Sequence, residues 1–305
     1  MPQLFHRTAS LAPLLAVFVL TCATLRAQVI NPADKQQAPP APQGLSTDPP
    51  RLRSFELPPT VMDIQRLGAL REEDLVGSYA QPRWTATRRF PTTRIYVVPE
   101  GKVEFEYWTR VKTPRDGPST VETQYEIEFG LPNRFMLDLY WVSEKTGSEG
   151  TSEQSEQKTE LRYALADWGK IWGNPTLYAE YGSVNGGPDV IESKLLLGGE
   201  ITTGWHWGSN LVWEREIGGA LTNTFEVTGG LSHTLVDERF SLGGEFKVET
   251  ENDHYDRSDY TNTLEVGPSL QYRPMPGFHI DLATLIGIGP DSRQSDIYLV
   301  IGYEF

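Results

Sequence analysis

From Val103 onward the chain alternates apolar and polar residues at period two, in blocks of about ten. Val103, Phe105, Tyr107 and Val111 fall on one side, and Glu104, Glu106, Arg110 and Lys112 on the other. The next block sets Val121, Tyr125, Ile127 and Phe129 against Glu122, Gln124, Glu126 and Glu128. Successive side chains of a strand point to opposite faces, so alternation of this length predicts strands with one apolar and one polar face. Twelve blocks follow one another: 103–113, 120–130, 135–144, 157–168, 175–184, 190–201, 205–215, 221–233, 238–250, 260–273, 277–286 and 294–305. No helical spacing interrupts them, which excludes a parallel sheet built from βαβ units.

The connections carry the topology. After even-numbered blocks they are short and turn-like: Leu131 to Arg134, Gly169 to Asn174, Thr202 to Gly204, Leu235 to Asp237 and Pro274 to Met275 to Pro276. After odd-numbered blocks they are longer and polar, as in Lys145 to Glu156 and Glu251 to Asp259. This predicts an all-β fold: an antiparallel up-and-down transmembrane β-barrel of about twelve strands over residues 91–305, with turns at one end and loops at the other. Ten or fourteen strands would follow if weak blocks merge or if Thr92 to Val98 adds one.

Alternation alone does not separate a membrane barrel from a soluble one. Strands of about ten residues match the length needed to cross a bilayer at a tilt. Aromatic residues gather toward strand ends, where interfacial girdles form: Trp141, Trp205, Trp207, Trp213, Tyr272, Tyr303 and Phe305. The final block, Ile297 to Phe305, is an alternating apolar strand ending in Phe. It resembles the C-terminal signal read by the outer-membrane insertion machinery, and this implies that machinery and outer-membrane lipid or lipopolysaccharide as partners. The strands containing Leu196-Leu-Gly-Gly-Glu200 and Ser241-Leu-Gly-Gly-Glu245 resemble transporter barrels of the family named after the meta-pathway of phenol degradation. That resemblance covers about 103–305, implies transport, and carries no individual functional residue across.

The region before the barrel has a different grammar. Residues 1–27 carry His6 and Arg7, an apolar stretch from Leu11 to Leu20 and a small-residue end at Ala27, which predicts a cleaved export signal. Cys22 is the only cysteine; Thr21 before it fits a lipoprotein signal poorly, and lipidation is left open. Residues 28–90 are Pro-rich and polar and predict a flexible periplasmic lead, with a short helix over 60–76 through Val61, Ile64, Leu67 and Leu70.

Charge changes the picture next. The chain carries 27 Lys and Arg against 41 Asp and Glu, net −14, which argues against a nucleic-acid partner. The strand phases turn eighteen acidic residues inward: Glu104, Glu106, Glu122, Glu126, Glu128, Asp138, Glu160, Glu180, Glu192, Glu200, Glu214, Glu226, Glu245, Glu249, Glu265, Asp281, Asp296 and Glu304. Six basic residues join them: Arg110, Lys112, Arg162, Lys194, Lys247 and Arg273. Buried like charges need water, counter-ions or partners. A hydrated, cation-favouring pore for a small-molecule solute is one reading, and a lumen closed by side-chain networks is the other. Arg83, Arg88, Arg89 and Arg94, clustered just before the first strand, either stay solvated in a linker or fold into the acidic lumen as a plug.

Catalytic chemistry is not expected. Ser209 and His233 are the lipid-facing candidates for a lipid-modifying enzyme, and their phase and height do not match. The loop Asn252 to Asp259 is oxygen-rich but matches no calcium-loop spacing, and the loop Ser148 to Glu156 reads as mobile and solvated. No cofactor or metal spacing is present.

Overall fold

A computed structural model of the chain describes residues 71–237, 239–255 and 260–305. The expected export signal, Cys22, the lead over 28–70, most of the expected 60–76 helix and residues 256–259 of the acidic loop lie outside the described residues.

The barrel is built from β1 (Val103–Thr113), β2 (Thr120–Leu131), β3 (Phe135–Thr146), β4 (Glu153–Ala164), β5 (Thr176–Val184) and β6 (Asp189–Thr202). It continues through β7 (Trp205–Ile217), β8 (Asn223–Val236), β9 (Phe240–Asn252), β10 (Tyr260–Met275), β11 (Phe278–Ile288) and β12 (Ser295–Glu304). Each strand pairs antiparallel with its chain neighbours, and β12 pairs with β1 through Val300 opposite Trp108, so the sheet closes and leaves no edge. Tight reversals at the short-turn end use residues that tolerate left-handed backbone, such as Gly204 (φ 76°) between β6 and β7.

Burial is inverted relative to a water-soluble protein. Glu104, Glu106, Glu126 and Asp138 are fully buried, whereas Phe225 is 56% and Ile286 57% exposed. Phe105, Leu211, Leu242, Phe246 and Val248 are also open to the outside. An outer surface of this kind is stable only against a partner as apolar as itself. A strand as long as β1, 11 residues, tilted as barrel strands are, rises about 28 Å, close to the ~25 Å apolar band of a membrane barrel.

Three details differ from the sequence expectation. The hairpin of β3 and β4 runs further into the loop side, with Glu144 opposite Glu153, so β4 begins at Glu153 and not at 157. Polar residues can pair there because a hairpin standing clear of the apolar band needs no apolar face. The same extension leaves Trp141 inside its strand, in a row with Tyr125 and Tyr107, and not at the strand's end. Residues 165–168, expected to finish the fourth strand, turn in toward the lumen, where Trp168 packs edge-on against Trp84 (5.5 Å) and Tyr96 (5.2 Å).

The largest difference is the boundary at 90/91. Gln81 to Phe90, the second half of the described part of the expected flexible lead, is packed inside the barrel, whereas most of residues 71–80 are exposed, with Glu72 and Tyr79 buried. Leu75–Val76 pairs with Gln81–Pro82, a single 3₁₀ turn follows at Arg83–Thr85, and the chain then runs on through the lumen to Val98. Thr92 to Val98 is therefore not an added barrel strand, and residues 71–76 are not helical. Tyr79, Trp84, Phe90, Ile95, Tyr96, Val97 and Val98 join Met136 and Ala164 of the wall in the main buried apolar cluster of the described residues. This segment closes the short-turn end of the barrel, and we refer to it as the plug.

Candidate functional site: the plugged lumen

The wall is shaped for the plug. Gly198 of β6 lies opposite Gly208 of β7, and Gly208 lies opposite Gly230 of β8, so three inward glycines make one row across three strands. A side chain at these positions would strike the plug. A Cβ at Gly198 would meet Ile95 at 2.3 Å, one at Gly208 would meet Thr93 at 3.1 Å and Ile95 at 3.2 Å, and one at Gly230 would meet Phe90 at 2.5 Å. Glycine inside a strand marks a close approach by something else, and here that something is Phe90, Thr93 and Ile95. At the far end of the plug, Gly130 of β2 leaves room for the Pro99 carbonyl, which would lie 1.9 Å from a Cβ.

Opposite this slot the attachment is ionic. Arg88 Nε donates to Glu106 at 3.0 Å and Nη2 at 2.6 Å, with Glu126 at 3.4 Å and Glu128 at 3.5 Å from Nη2. The guanidinium lies 4.1 Å over the ring of Trp108, whose Nε1 donates to Glu106 at 3.0 Å. Arg94 bonds Glu126 through Nη2 and Glu128 through Nη1 at 2.8 Å. Charge-assisted, forked bonds of this kind combine strength with fixed geometry. On the same wall Arg162 bonds Asp138 (2.9 Å) and Glu160, and its Nη1 reaches the Tyr96 carbonyl at 3.3 Å. His279 is wedged between Asp281 (2.5 Å) and Glu104 (2.7 Å), with Gly302 leaving space for its ring.

Arg89 and Arg94 differ in environment. Burial pushes the Arg89 guanidinium down to about 10: Glu72 opposes this only in part, and Arg273 adds to it. Its bonds go to Ser232 (2.9 Å), Thr234 (2.7 Å) and His206 Nδ1 (2.8 Å), with Glu72 at 3.3 Å. Burial also disfavours the Arg94 charge, but Glu126, Glu128 and Glu106 outweigh it and hold that guanidinium ionised well above its ordinary value. Arg88 and Arg94 are thus the electrostatic anchors, and Arg89 is a neutral-wall contact.

The layer is tight. Two cavities of about 20 and 10 Å³ are found between plug and wall, room for about one water each. The loop-end half is different. A cavity of about 360 Å³ has Pro91 and Thr92 of the plug among its lining, with Arg110, Lys158, Glu192, Glu214, Glu226, Lys247 and Glu249 around it. A neighbouring one of about 270 Å³ is lined by Arg110, Lys112, Glu122, Glu144, Glu156 and Lys158. The basic groups there are paired: Lys112 with Glu122 (2.6 Å) and Glu144 (2.9 Å), Lys158 with Glu180 (3.2 Å), Lys194 with Glu192 (2.7 Å), Lys247 with Glu226 (3.0 Å) and Arg110 with Asp296 (2.6 Å).

The expected lumen-lining residues therefore divide between two layers. Glu104, Glu106, Glu126, Glu128, Asp138, Glu160, Arg162, Glu245 and Asp281 lie in the plug layer, Glu245 accepting from the Thr92 backbone N–H at 2.8 Å. Arg110, Glu122, Glu180, Glu192, Lys194, Glu214, Glu226 and Lys247 border the open half. Glu265 is buried beside Arg293 (3.9 Å), Glu200 sits exposed at the short-turn rim, and Glu304 joins Lys102 (3.3 Å) there. The sequence reading missed Lys158, which shares the inward phase of Glu160 and Arg162 within the expected 157–168 block, and it missed the three-glycine row, whose only trace was the Gly-Gly pairs.

Of the expected aromatic girdle, Trp205 (39%), Tyr272 (44%), Tyr303 (38%) and Phe305 (69%) are exposed at the short-turn end. Trp207 stands near them with Trp172 at 5.7 Å, and Trp213 lies beside Phe225 toward the loops. Ser209 and His233 do not meet. Ser209 faces Gly229 and donates to the Thr228 carbonyl at 2.9 Å, whereas His233 faces Trp205, stacks on it at 4.6 Å and bonds the Gly204 carbonyl at 3.1 Å. Their places in the β7–β8 register are separated by about 13 Å of strand.

No family model matches this chain, and no characterised protein matches it by sequence. Several solved structures are similar in shape. The NanC porin is 14% identical, with 67% of this chain and 98% of that chain covered and a TM-score of 0.46. The KdgM porin is 10% identical, with 66% and 99% covered and a TM-score of 0.46. An outer membrane channel from Pseudomonas putida F1 is 10% identical, with 69% and 98% covered and a TM-score of 0.47. At this level of likeness none of them indicates what, if anything, passes this barrel.

Proposed function

We propose that this chain is an outer-membrane barrel that passes small solutes, and that residues 71–100 are its gate. The observation that carries this reading is how the plug is attached. Among the described residues, no backbone ladder joins 86–98 to a barrel strand. The plug's backbone is met by side chains: Arg94 N–H by Asn210 Oδ1 (2.9 Å), Arg94 carbonyl by Asn210 Nδ2 (2.6 Å), Val98 N–H by Met136 Sδ (3.2 Å) and Thr92 N–H by Glu245. The segment can leave without breaking the sheet, and the loop-end half of the lumen already holds cavities of about 360 and 270 Å³. The apolar outer face supports membrane insertion, and the short-turn end with both barrel termini is then periplasmic. The likeness of the Gly-Gly strands to transporter barrels of the phenol meta-pathway family supports transport and carries the reading no further.

A second reading is favoured by the packing of Trp84 and Phe90, both fully buried: a permanently closed barrel with a structural or surface role. One experiment separates the two. The Thr93 and Thr228 hydroxyls lie 3.0 Å apart, and beyond residue 27 the chain has no cysteine. In Thr93→Cys/Thr228→Cys the plug should be tied to β8 by a disulfide. In planar bilayers the oxidised variant is expected to be silent and to recover wild-type openings on reduction. A wild type that is as silent as the oxidised variant under every voltage and salt condition would favour the closed reading.

The C-terminal strand bears on assembly. Phe305 is exposed, with its ring 4.9 Å from that of Tyr303. Removing Phe305 is expected to lower the yield of folded barrel in the outer membrane several-fold while leaving refolding into detergent unchanged. Equal membrane yields would remove the insertion machinery as a partner of this residue.

A further inference from the structure

We propose that the cage formed by Glu106, Glu126, Glu128 and Trp108 is the solute site of the lumen, and that its solute is a small organic cation bearing a guanidinium or amine. Arg88 and Arg94 of the plug occupy the cage in the closed state as built-in stand-ins for that solute. The inference deepens the gated-channel reading and rests on it.

The cage belongs to the wall alone. Glu106 of β1 lies directly opposite Glu126 of β2, and Glu128 is the next inward residue. All three carboxylates are buried. Two of them are oriented by other wall residues, Glu106 by Trp108 Nε1 (3.0 Å) and Glu126 by Gln124 Nε2 (3.2 Å). Carboxylates presented in pairs beside an aromatic face are the complement of a planar cation, which takes forked hydrogen bonds in its plane and the ring on its face. The two guanidinium groups held there show that the fit is realised. They come from a segment that is not part of the sheet, so the site and its occupant are separable.

Charge gives the site a reason to be refilled. Glu104, Glu106, Glu126, Glu128, Asp138 and Glu160 face only three guanidinium groups, those of Arg88, Arg94 and Arg162. Withdrawal of the plug would leave only Arg162, bonded to Asp138 and Glu160, and the His279 imidazole, 2.7 Å from Glu104 and 3.6 Å from Glu106, against them, with none of these partners on Glu126 or Glu128. Clustered carboxylates lacking partners are costly, and a cation arriving from the loop side offsets that cost. Its route is prepared: Pro91 and Thr92, three and two residues before Arg94, border the 360 Å³ cavity, whose wall carries Glu192, Glu214, Glu226 and Glu249. A solute that binds the cage only when the arginines are out shifts the plug equilibrium toward open. The solute thus opens its own gate.

The test uses the full-length chain and agmatine, a guanidinium with a terminal amine, as the probe. In planar bilayers agmatine is expected to raise open probability by about tenfold or more at concentrations where sodium at equal ionic strength does not, and to permeate ahead of glutarate and of a neutral sugar of similar size. In Glu126→Gln/Glu128→Gln this preference should vanish while openings become more frequent, because Arg94 loses both anchoring partners. Binding is measured separately by calorimetry on full-length Arg88→Ala/Arg94→Ala, whose cage is vacated. Agmatine should bind it, and should bind at least tenfold more weakly once Glu126→Gln/Glu128→Gln is added. A channel that conducts but treats agmatine, glutarate and sugar alike would overturn the inference and leave the channel standing. Equal agmatine binding with and without the two glutamates would overturn it as well. Absence of any current, with glutamate-dependent agmatine binding intact, would uphold the cage and remove the channel reading instead.

Discussion

On the gated reading, full-length Arg94→Glu is expected to conduct almost continuously in planar bilayers, and the wild type is expected to open rarely. Arg94 is bonded to Glu126 and Glu128 and lies 3.8 Å from Glu106. Removing one partner of a buried ion pair costs about 3–5 kcal/mol, and reversing its sign adds repulsion from three carboxylates. Because 1.4 kcal/mol is a factor of ten, even 3 kcal/mol corresponds to a shift of more than a hundredfold in the closed-to-open ratio. The wall strands lose nothing of their backbone pairing, so the barrel's strand signal in circular dichroism should be retained. A second readout follows from the plug's own sequence. Trypsin should leave Arg83, Arg88 and Arg89 uncut in the folded wild type and cut them in the variant. An Arg94→Glu chain with wild-type current and a protected plug would show that Arg94 does not anchor the segment.

Gly230→Val should release the plug by shape alone. A Cβ at residue 230 would lie 2.5 Å from the Phe90 ring, which is fully buried. Valine adds two methyl groups beyond that point, and overpacking of this kind costs about 1–3 kcal/mol when neighbours can yield. Here the neighbour that can yield is the plug, because the opposing strands are fixed by Gly230 pairing with Gly208 on one side and Glu245 on the other. Valine is also a better strand residue than glycine, so barrel stability should hold or rise while plug protection falls. The two variants differ in their response to salt. The Arg94→Glu effect should weaken at high ionic strength once water enters the cage, and the Gly230→Val effect should not. Thermal unfolding of the barrel at or above the wild-type temperature, together with rapid tryptic cutting of the plug, is the expected pair of results for Gly230→Val. A protected plug would mean that Phe90 finds another seat.

Much of the wall was readable from period two. Once Glu104, Glu106, Glu126 and Glu128 alternate with Phe105, Ile127 and Phe129, a sheet has only one way to place them, and closure decides that the glutamates face inward. Strand ends were less readable where the chain leaves the apolar band. Ser143 to Thr146 and Glu153 to Glu156 pair without an apolar face, which moved the start of β4 and left Trp141 within its strand. The plug was the least readable part. Ile95 to Val98 is apolar without alternation because it is buried on every side, and Arg83 to Arg94 reads equally as a solvated basic linker. Its partners, Glu106, Glu126, Asn210 and Glu245, lie from about 12 to about 150 residues away along the chain, and no local pattern encodes that distance.

By itself the sequence determined that the chain is a sheet of alternating strands, that their connections are unequal at the two ends, and that negative charge collects on one face. Those properties are local, set by backbone geometry and by which side chains water accepts. The tertiary structure decided what meets that charge. Only the folding of the plug back into the lumen brings Arg88 and Arg94 onto Glu106, Glu126 and Glu128 of β1 and β2, and only the pairing of β6, β7 and β8 turns three scattered glycines into a seat for Phe90, Thr93 and Ile95. An acidic lumen is written in the alternation; a lumen filled by the chain's own arginines depends on side-chain geometry summed across strands far apart in sequence.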